Sequence, residues 1–512
     1  MKKAKDILKL SFIAVGTLLA AINFTSCKKE AESRPATPAV VKPDLVFYGI
    51  TASGKLSKYN AMAAETAIST VTINGLQSGE SILSIDFRPA TGELYGLGSS
   101  SRLYIINTAT GNTRVVGAAA FTPALDGTVA GFDFNPTVDR IRVVTTTGQN
   151  LRINPETGTV AFTDGSINGV SGAAVSAVAY TNSKAGASST TLFDIDVTSQ
   201  KLYKQMPPNT GTLVQVGSLG VAPTGEGGFD ISPDGAVALA SLYVSGQSSL
   251  FQIDTTSGAA VKLGDFAGMD EVKGIAIPTN AVAYATDEMN NLLIFNPTNT
   301  DAPVSKVITG IAAGDNIEGI DFRPLNGQIF ALGRAGNLYT LNAASGAATM
   351  VGTGSFASLL GNGFGFDFNP TVDRIRVVST SKQNFRLNPM TGALAATDMF
   401  LNPGTPSISG AAYANNFAGA TTTTLFDIDC RAQKLYKQLP PNDGTLVEVG
   451  PLGITVQSMN GFDIGSTSGI AYAILKVNDS NALYSINLTT GTATKINDFP
   501  KTVKGFTIGL GF

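Results

Sequence analysis

The polar residues with the clearest chemical potential are arginines that recur in two copies of one segment. The segment Gly-Phe-Asp-Phe-Asn-Pro-Thr-Val-Asp-Arg-Ile-Arg-Val-Val occurs at 131–144 and again, unchanged, at 365–378. Two of its arginines stand two residues apart on a predicted strand, so they share one face, and an arginine of the next strand could join them. Three guanidinium groups would suit a carboxylate, sulfate or phosphate, because each offers a planar fork of donors. The candidate anion-binding residues are Arg140, Arg142 and Arg152 in the first copy and Arg374, Arg376 and Arg386 in the second.

The same segment has a structural interpretation, which we favour. Asn135, Pro136 and Thr137 would form the tight turn between a first and a second strand, capped by the Asn side chain. Asp133 and Asp139 would then hold the arginines between neighbouring sheets. Duplication does not decide between the two interpretations, since it copies structural and functional residues alike.

The composition excludes several kinds of active site. The chain has 0 histidines, which rules out Ser-His-Asp and Cys-His catalysis and histidine-bound metals. The alternating acids Asp194 with Asp196, and Asp427 with Asp429, could face a calcium ion, but no stretch has the spacing of a calcium-binding loop. We therefore predict no metal site and no cofactor. An alternative is a histidine-free polysaccharide hydrolase or lyase, which would need two carboxylates close together in a channel.

The N-terminal segment predicts a lipid anchor. Residues 1–26 combine a basic start with an apolar run that is too short for a convincing transmembrane helix. The run ends in Phe24-Thr25-Ser26-Cys27, which resembles the lipobox of bacterial lipoproteins, with Cys27 as the lipid attachment residue. Residues 27–43 are polar and contain prolines, so we expect a flexible tether. The predicted location is the outer membrane or cell surface, with the membrane contacted through the lipid.

The remainder of the chain consists of similar modules. Each contains four short strands with alternating apolar residues, separated by Gly, Asn, Thr and Ser turns, as in 84–117. The plan recurs at 130–165, 175–217, 228–266, 272–308, 317–352, 365–398, 408–450 and 461–499. Four-stranded modules in series are typical of β-propeller blades. The sequence predicts an all-β propeller of about ten blades, in two repeat units of five blades at 44–277 and 278–512.

The closure of the propeller has two solutions. The chain begins with three strands at 45–73 and ends with a single strand at 503–508, and together these would complete one blade. Strand 503–508 resembles 272–277, which either pairs with 282–286 in one ten-bladed ring or closes the first unit in a pair of five-bladed rings. The four residues between these two strands span at most about 14 Å. A hairpin fits that length better than a crossing between ring centres, so we favour the single ring.

These motifs resemble a known family. The segment 132–144, together with Gln149–Pro155 and Gly319–Pro324, is similar to the bacterial domain-of-unknown-function family 4394, in two tandem copies over nearly all of 44–512. The resemblance implies a propeller-like fold and secretion, and it implies no established activity.

We expect a non-catalytic cell-envelope lipoprotein whose propeller binds a protein or a glycan. The predicted contact regions are loops between blades and turns between second and third strands, at Phe121–Val129, Gly354–Gly363, Tyr243–Ser249 and Asp287–Asn291. Charged residues make up 14% of the chain and the formal net charge is −3, so nothing predicts nucleic-acid binding.

Overall fold

The computed structural model describes residues 40–268 and 270–512, and Lys42–Phe512 form one compact unit. The predicted signal segment 1–26, Cys27 and most of the predicted tether lie outside the described residues. Within the described part, no helix has the length and hydrophobicity needed to cross a bilayer.

The first copy folds into twenty strands. In chain order they are β1 (Val46–Thr51), β2 (Lys55–Asn60), β3 (Ser69–Thr72), β4 (Ile82–Phe87), β5 (Leu94–Gly98), β6 (Arg102–Ile106), β7 (Thr113–Val116), β8 (Ala130–Asn135), β9 (Arg140–Thr145), β10 (Asn150–Ile153), β11 (Val160–Thr163), β12 (Val175–Tyr180), β13 (Leu192–Asp196), β14 (Lys201–Gln205), β15 (Leu213–Ser218), β16 (Pro223–Ile231), β17 (Ala238–Val244), β18 (Gln247–Ile253), β19 (Ala260–Asp265) and β20 (Val272–Ala276).

The second copy folds into twenty more. They are β21 (Ala283–Asp287), β22 (Asn291–Asn296), β23 (Asn299–Val307), β24 (Ile317–Arg323), β25 (Gln328–Gly333), β26 (Leu338–Leu341), β27 (Ala348–Val351), β28 (Phe364–Asn369), β29 (Arg374–Ser379), β30 (Asn384–Leu387), β31 (Leu394–Thr397), β32 (Ile408–Tyr413), β33 (Leu425–Asp429), β34 (Lys434–Gln438), β35 (Leu446–Pro451), β36 (Asn460–Ile464), β37 (Ala471–Val477), β38 (Ser480–Ile486), β39 (Ala493–Asp498) and β40 (Val503–Ile508). Short 3-10 helices occur at Ala61–Ala63, Pro208–Thr210 and Pro441–Asp443.

The strands form ten four-stranded antiparallel sheets, as the module pattern predicted. Eight sheets use four consecutive strands, and the other two are closed by strands from the end of each copy. Strand β20 pairs with β1, joining Tyr48 to Ala276, whereas β40 pairs with β21, joining Tyr284 to Thr507. Each copy therefore supplies the closing strand of its own ring.

The favoured single ten-bladed ring is wrong, and the alternative of two five-bladed rings is correct. The inner strands contact one another in the order β4, β8, β12, β16, β20 and back to β4, and β24, β28, β32, β36, β40 and back to β24. The short link at 278–282 suffices because β21 lies against the first ring. The Tyr284 hydroxyl, on β21, donates to the carbonyl oxygen of Ala90 at 3.1 Å.

Small residues on the inner strands allow five blades to close around one axis. A Cβ atom on Gly228 would lie 2.3 Å from the amide nitrogen of Ile275 in the next blade, and one on Gly505 would lie 2.6 Å from that of Ile320. Larger side chains would hold the inner strands apart. Between the blades, the apolar face of each sheet packs against its neighbour, as in the edge-to-face pair of Tyr95 and Phe134 at 5.2 Å.

The two rings contact each other through turns between first and second strands. The buried Arg88 donates through Nη1 to the carbonyl oxygen of Gly327 at 2.9 Å, and it also pairs with Asp139 and Glu156 of its own ring. Arg114 donates to the carbonyl oxygen of Leu325. These contacts lie at the end of the inner strands opposite the loops that join one blade to the next.

Candidate functional site

Three aspartates converge on the axis of each ring. They are Asp86, Asp133 and Asp230 in the first ring, and Asp321, Asp367 and Asp463 in the second. In each set, one carboxylate oxygen of every residue lies within 4.8 Å of the others, and all six side chains are buried. We call these sets the axial triads. All six aspartates lie on inner strands, at equivalent positions of three blades in five.

Each axial aspartate also accepts a hydrogen bond from a backbone amide of the next blade. Asp86 Oδ2 accepts the amide N–H of Phe134 at 2.8 Å, and Asp133 Oδ1 accepts that of Tyr180 at 3.1 Å. The second ring repeats both bonds, from Phe368 to Asp321 at 2.7 Å and from Tyr413 to Asp367 at 3.0 Å. Hydrogen bonds to amides favour the ionised carboxylate, yet three buried anions repel one another.

Burial is the largest influence on the acidity of the triads. It raises the pKa of Asp86, Asp133, Asp321 and Asp367 well above the usual range, and the neighbouring axial carboxylates raise each of these pKa values further. Burial also raises the pKa of Asp230 to about 7 and that of Asp463 to about 6, with the amide hydrogen bonds opposing it. Each triad therefore needs a proton or another positive charge among its oxygens at neutral pH.

The second triad contains a hydroxyl group that the first lacks. Thr507 Oγ1 lies 2.9 Å from both Asp321 Oδ1 and Asp463 Oδ2, and it accepts the amide N–H of Phe322 at 3.3 Å. Ala276 occupies the equivalent position of the first ring. A small pocket next to the second triad is lined by residues of all five inner strands, including Phe366, Phe462 and Phe506.

The arginines predicted as an anion site lie elsewhere, between the blades. Arg142 is buried and donates to the Tyr180 hydroxyl, Asn150, Asp164 and Asn209. Its equivalent Arg376 donates in the same way to Tyr413, Asn384, Asp398 and Asn442. Each of these guanidinium groups thus uses four of its five N–H donors on protein acceptors.

The remaining predicted arginines either form salt bridges or donate to a backbone carbonyl of the adjacent residue. Arg152 forms a bidentate salt bridge with Asp164, with nitrogen–oxygen distances of 2.7 and 2.8 Å. Arg386 forms the same bidentate salt bridge with Asp398, with both distances at 2.8 Å. Arg140 and Arg374 each donate to the carbonyl oxygen of the preceding aspartate. Arg142 and Arg152 therefore share the carboxylate of Asp164, and Arg376 and Arg386 share that of Asp398. This pairing favours the structural interpretation over anion binding.

The predicted acidic partners of these arginines were wrong. Asp133 belongs to the axial triad, and Asp139 pairs with Arg88 rather than with Arg140 or Arg142. A sequence signal for the triads was present, because an aspartate follows the inner-strand glycine by two residues in the segments Gly131-Phe-Asp, Gly228-Phe-Asp, Gly319-Ile-Asp and Gly461-Phe-Asp. That spacing places the two residues on one strand face.

The alternating acids considered for calcium have two different roles. Asp196 and Asp429 accept amide N–H groups of the turns that follow them, as in the 2.8 Å bond from Thr198 to Asp196 Oδ1. Asp194 and Asp427 are buried, and neither oxygen of either residue has a hydrogen-bond partner. Among the described residues, neither pair belongs to a cluster of three or more acidic groups that could hold an ion together.

The axial triads do not form an accessible hydrolytic site. Their carboxyl groups converge, as the polysaccharide hydrolase alternative requires, but all are buried. The pocket beside the second triad has room for about one water molecule, which is far too small for a sugar. The triads offer oxygen atoms only, and such a set suits protons or a hard cation.

Comparison with solved structures finds matches of low sequence identity, one of which is described as a propeller. The Dos1 propeller matches at 14% identity over 66% of this chain and 90% of its own, with a TM-score of 0.25. The extracellular domain of the putative one-component system BT4673 from B. thetaiotaomicron matches at 10% identity over 90% of this chain, with a TM-score of 0.26. PorZ, a surface component of the type-IX secretion system of Porphyromonas gingivalis, matches at 13% identity over 90% of this chain, with a TM-score of 0.25. This chain spans 65% and 58% of the lengths of the latter two, and the likenesses concern the fold alone.

The family comparison is specific. No curated protein matches the sequence. The family model described as a domain of unknown function, DUF4394, matches twice, over residues 55–276 and 291–507. Each match covers the strands of one ring almost completely. The chain therefore belongs to the DUF4394 family, of which it contains two tandem copies.

Proposed function

We propose that the protein is a non-catalytic binding module of the cell envelope, lipid-anchored through Cys27, and that the second ring binds a protein partner. The observation that carries the proposal is an exposed apolar pair, Met399 and Phe400, in the loop that joins two blades of the second ring. Their exposed fractions are 64% and 65%. The buried axial acids and the paired arginines support a non-catalytic role.

Hydrogen bonds to the neighbouring blade hold this pair in place. The Met399 amide donates to the carbonyl oxygen of Asn442 at 3.1 Å, and the Asn402 amide donates to that of Gly444 at 2.8 Å. The Asn402 side chain adds a bond to the carbonyl oxygen of Asp443 at 2.8 Å. An apolar pair on such a fixed loop loses little conformational freedom on binding.

The first ring lacks the apolar pair although its loop has the same hydrogen bonds. Gly165 and Ser166 occupy the equivalent positions, and the Asn168 side chain repeats the contact to the next turn. The two copies therefore differ in surface chemistry on a shared backbone. Aromatic and methionine side chains are enriched at protein interfaces, which favours a protein over a glycan here.

Two loops predicted from the sequence also carry exposed apolar side chains. Met289, in Asp287–Asn291, is 76% exposed, and Leu360, in Gly354–Gly363, is 57% exposed. Both belong to the second ring and add to its exposed apolar side chains.

The test is to place a photo-crosslinking amino acid at position 400 of the full chain in cells, with position 166 as the matched control. We expect a cross-linked envelope protein from position 400 only. The double variant M399G/F400S, which installs the residues of the first ring, should weaken binding of that protein at least about tenfold. The control M206S changes an exposed apolar residue of the first ring and should leave binding unchanged.

Two results would contradict the proposal. Equal cross-linking from positions 400 and 166 would remove the distinction between the rings. A glycan that binds the wild type and the M399G/F400S variant equally well, with no cross-linked protein, would assign the ligand to a different class and a different surface.

A further inference from the structure

The second axial triad brings three carboxylate oxygens close enough together to bind a single ion such as Ca²⁺. Ca²⁺ lies about 2.3–2.6 Å from its oxygen ligands, so two ligands on opposite sides of it are about 4.6–5.2 Å apart. The Asp321, Asp367 and Asp463 oxygens lie within 4.8 Å of one another. Mg²⁺ is usually bound by one or two carboxylates and keeps several waters, so a buried set of three carboxylates suits Ca²⁺ better.

The charge of this triad has no basic partner. Among the described residues, the salt bridges include none of the three aspartates, whose hydrogen bonds come from amides and a hydroxyl group. The nearby Lys504 lines the adjoining pocket, but its Nζ is paired with Glu318 at 3.0 Å. Buried carboxylates without a basic partner require protons or a cation for neutralisation.

A second observation points to a ligand. Asp367 is 1% exposed, and its Oδ2 has no hydrogen-bond partner, whereas its Oδ1 accepts the amide N–H of Tyr413. The adjoining pocket is lined by Gly365 and Phe366, which precede Asp367 on β28, whereas the three aspartates and Thr507 are not among its lining residues. A buried carboxylate oxygen without a donor is costly unless an ion or a proton occupies it.

We propose that Asp321, Asp367, Asp463 and the Thr507 hydroxyl oxygen bind one Ca²⁺-type divalent cation on the axis of the second ring. The ligands come from four of the five inner strands, β24, β28, β36 and β40, so the ion ties the closing strand to the rest of its ring. The first ring offers one oxygen ligand fewer, because Ala276 replaces the threonine. We therefore assign a single ion to each chain.

The two rings supply a matched pair of variants for the test. Asp367 and Asp133 occupy equivalent positions, and each accepts a tyrosine amide through Oδ1, which asparagine can also do. The full chain is treated with a chelator and then titrated with Ca²⁺ alone, with binding followed by equilibrium dialysis and thermal unfolding. The wild type and D133N should bind one Ca²⁺ and gain in midpoint temperature, whereas D367N should lose the ion and the shift.

Each alternative outcome overturns the proposal in a different way. Absence of binding up to millimolar Ca²⁺ in the wild type would show that protons alone neutralise the triad. Loss of the ion in D133N but not in D367N would place the site in the first ring. Two ions per chain would contradict the role of Thr507, and an equal midpoint shift in D367N would show that Ca²⁺ acts at another surface.

Discussion

At the scale of single residues, the buried Asp427 of β33 makes the stability of the fold depend on pH. Burial raises its pKa to about 8, with Arg376 opposing the rise and Asp429 adding to it. The folded chain therefore retains a proton on Asp427 that the unfolded chain loses near pH 4. The stability associated with this proton is fully present below about pH 4 and is lost as the pH rises through about 8.

We expect D427N to be more stable than the wild type at pH 8, by roughly 1–3 kcal/mol, because the variant has no proton to lose and no anion to bury. Urea unfolding at several pH values measures the difference, which should vanish near pH 4. D429N is the control, because Asp429 instead accepts turn amides from Arg431 and Ala432 at 2.8 and 2.9 Å. It should be destabilised by about 1 kcal/mol. A constant advantage of D427N at all pH values would show that Asp427 does not retain its proton.

The partners of the arginines show why side-chain roles were harder to predict than strands. Arg142 and Arg152 share Asp164, which follows β11 at the outer edge of the blade, and Arg142 also reaches Asn209 of the next blade. The alternation of β9 and β10 correctly predicted that the two arginines share a face. It could not give the position of Asn209, which depends on how neighbouring sheets pack, or that of Asp164, which lies beyond the end of β11.

At the scale of elements, the inner strands decide which ring can form. Gly228 of β16 faces the backbone of β20, where an added Cβ would meet the Ile275 nitrogen at 2.3 Å. We expect G228A to destabilise the first ring by about 3 kcal/mol, because backbone atoms cannot give way as a flexible side chain can. Thermal unfolding of the full chain, followed by circular dichroism, measures the loss.

Gly410 of β32 provides the matched control for this prediction. Its added Cβ would lie 3.0 Å from the Cβ of Phe462, and the first ring already contains Ala177 at the equivalent position. G410A should therefore change stability by less than about 1 kcal/mol. Equal effects of the two substitutions would show that inner-strand spacing does not limit ring closure.

Strand patterns predicted the eight sheets of four consecutive strands but could not decide which strand completes each of the other two. The segment that forms β20 has apolar residues that suit pairing with β1, as observed, or with β21, the next strand in the chain. The choice depends on the long-range contact of β20 with β4 and β16, which no local pattern encodes. The short link misled the prediction because the distance between the rings was unknown.

At the scale of the whole molecule, Arg88 couples the two rings. Its guanidinium is completely buried and donates to Asp139, to Glu156 and to the carbonyl oxygen of Gly327 in the other ring. Glu156 also accepts from Gln328 of the second ring at 3.2 Å. The equivalent Arg323 pairs only with Asp373, which is 33% exposed. Arg88 thus stabilises the interface between the rings, whereas Arg323 stabilises a partly solvent-exposed turn of the second ring.

We expect R88A to lower the free energy of unfolding by about 3–5 kcal/mol, because it leaves Asp139 and Glu156 buried without their cation. Arg323→Ala is the matched control and should cost at most about 1 kcal/mol, since water can reach Asp373. Calorimetry of the full chain should show one cooperative transition for the wild type and for R323A. R88A should show two transitions, as each ring retains its own closed core but loses the shared contact. A single transition in R88A, with a loss equal to that of R323A, would mean that apolar contacts alone couple the rings.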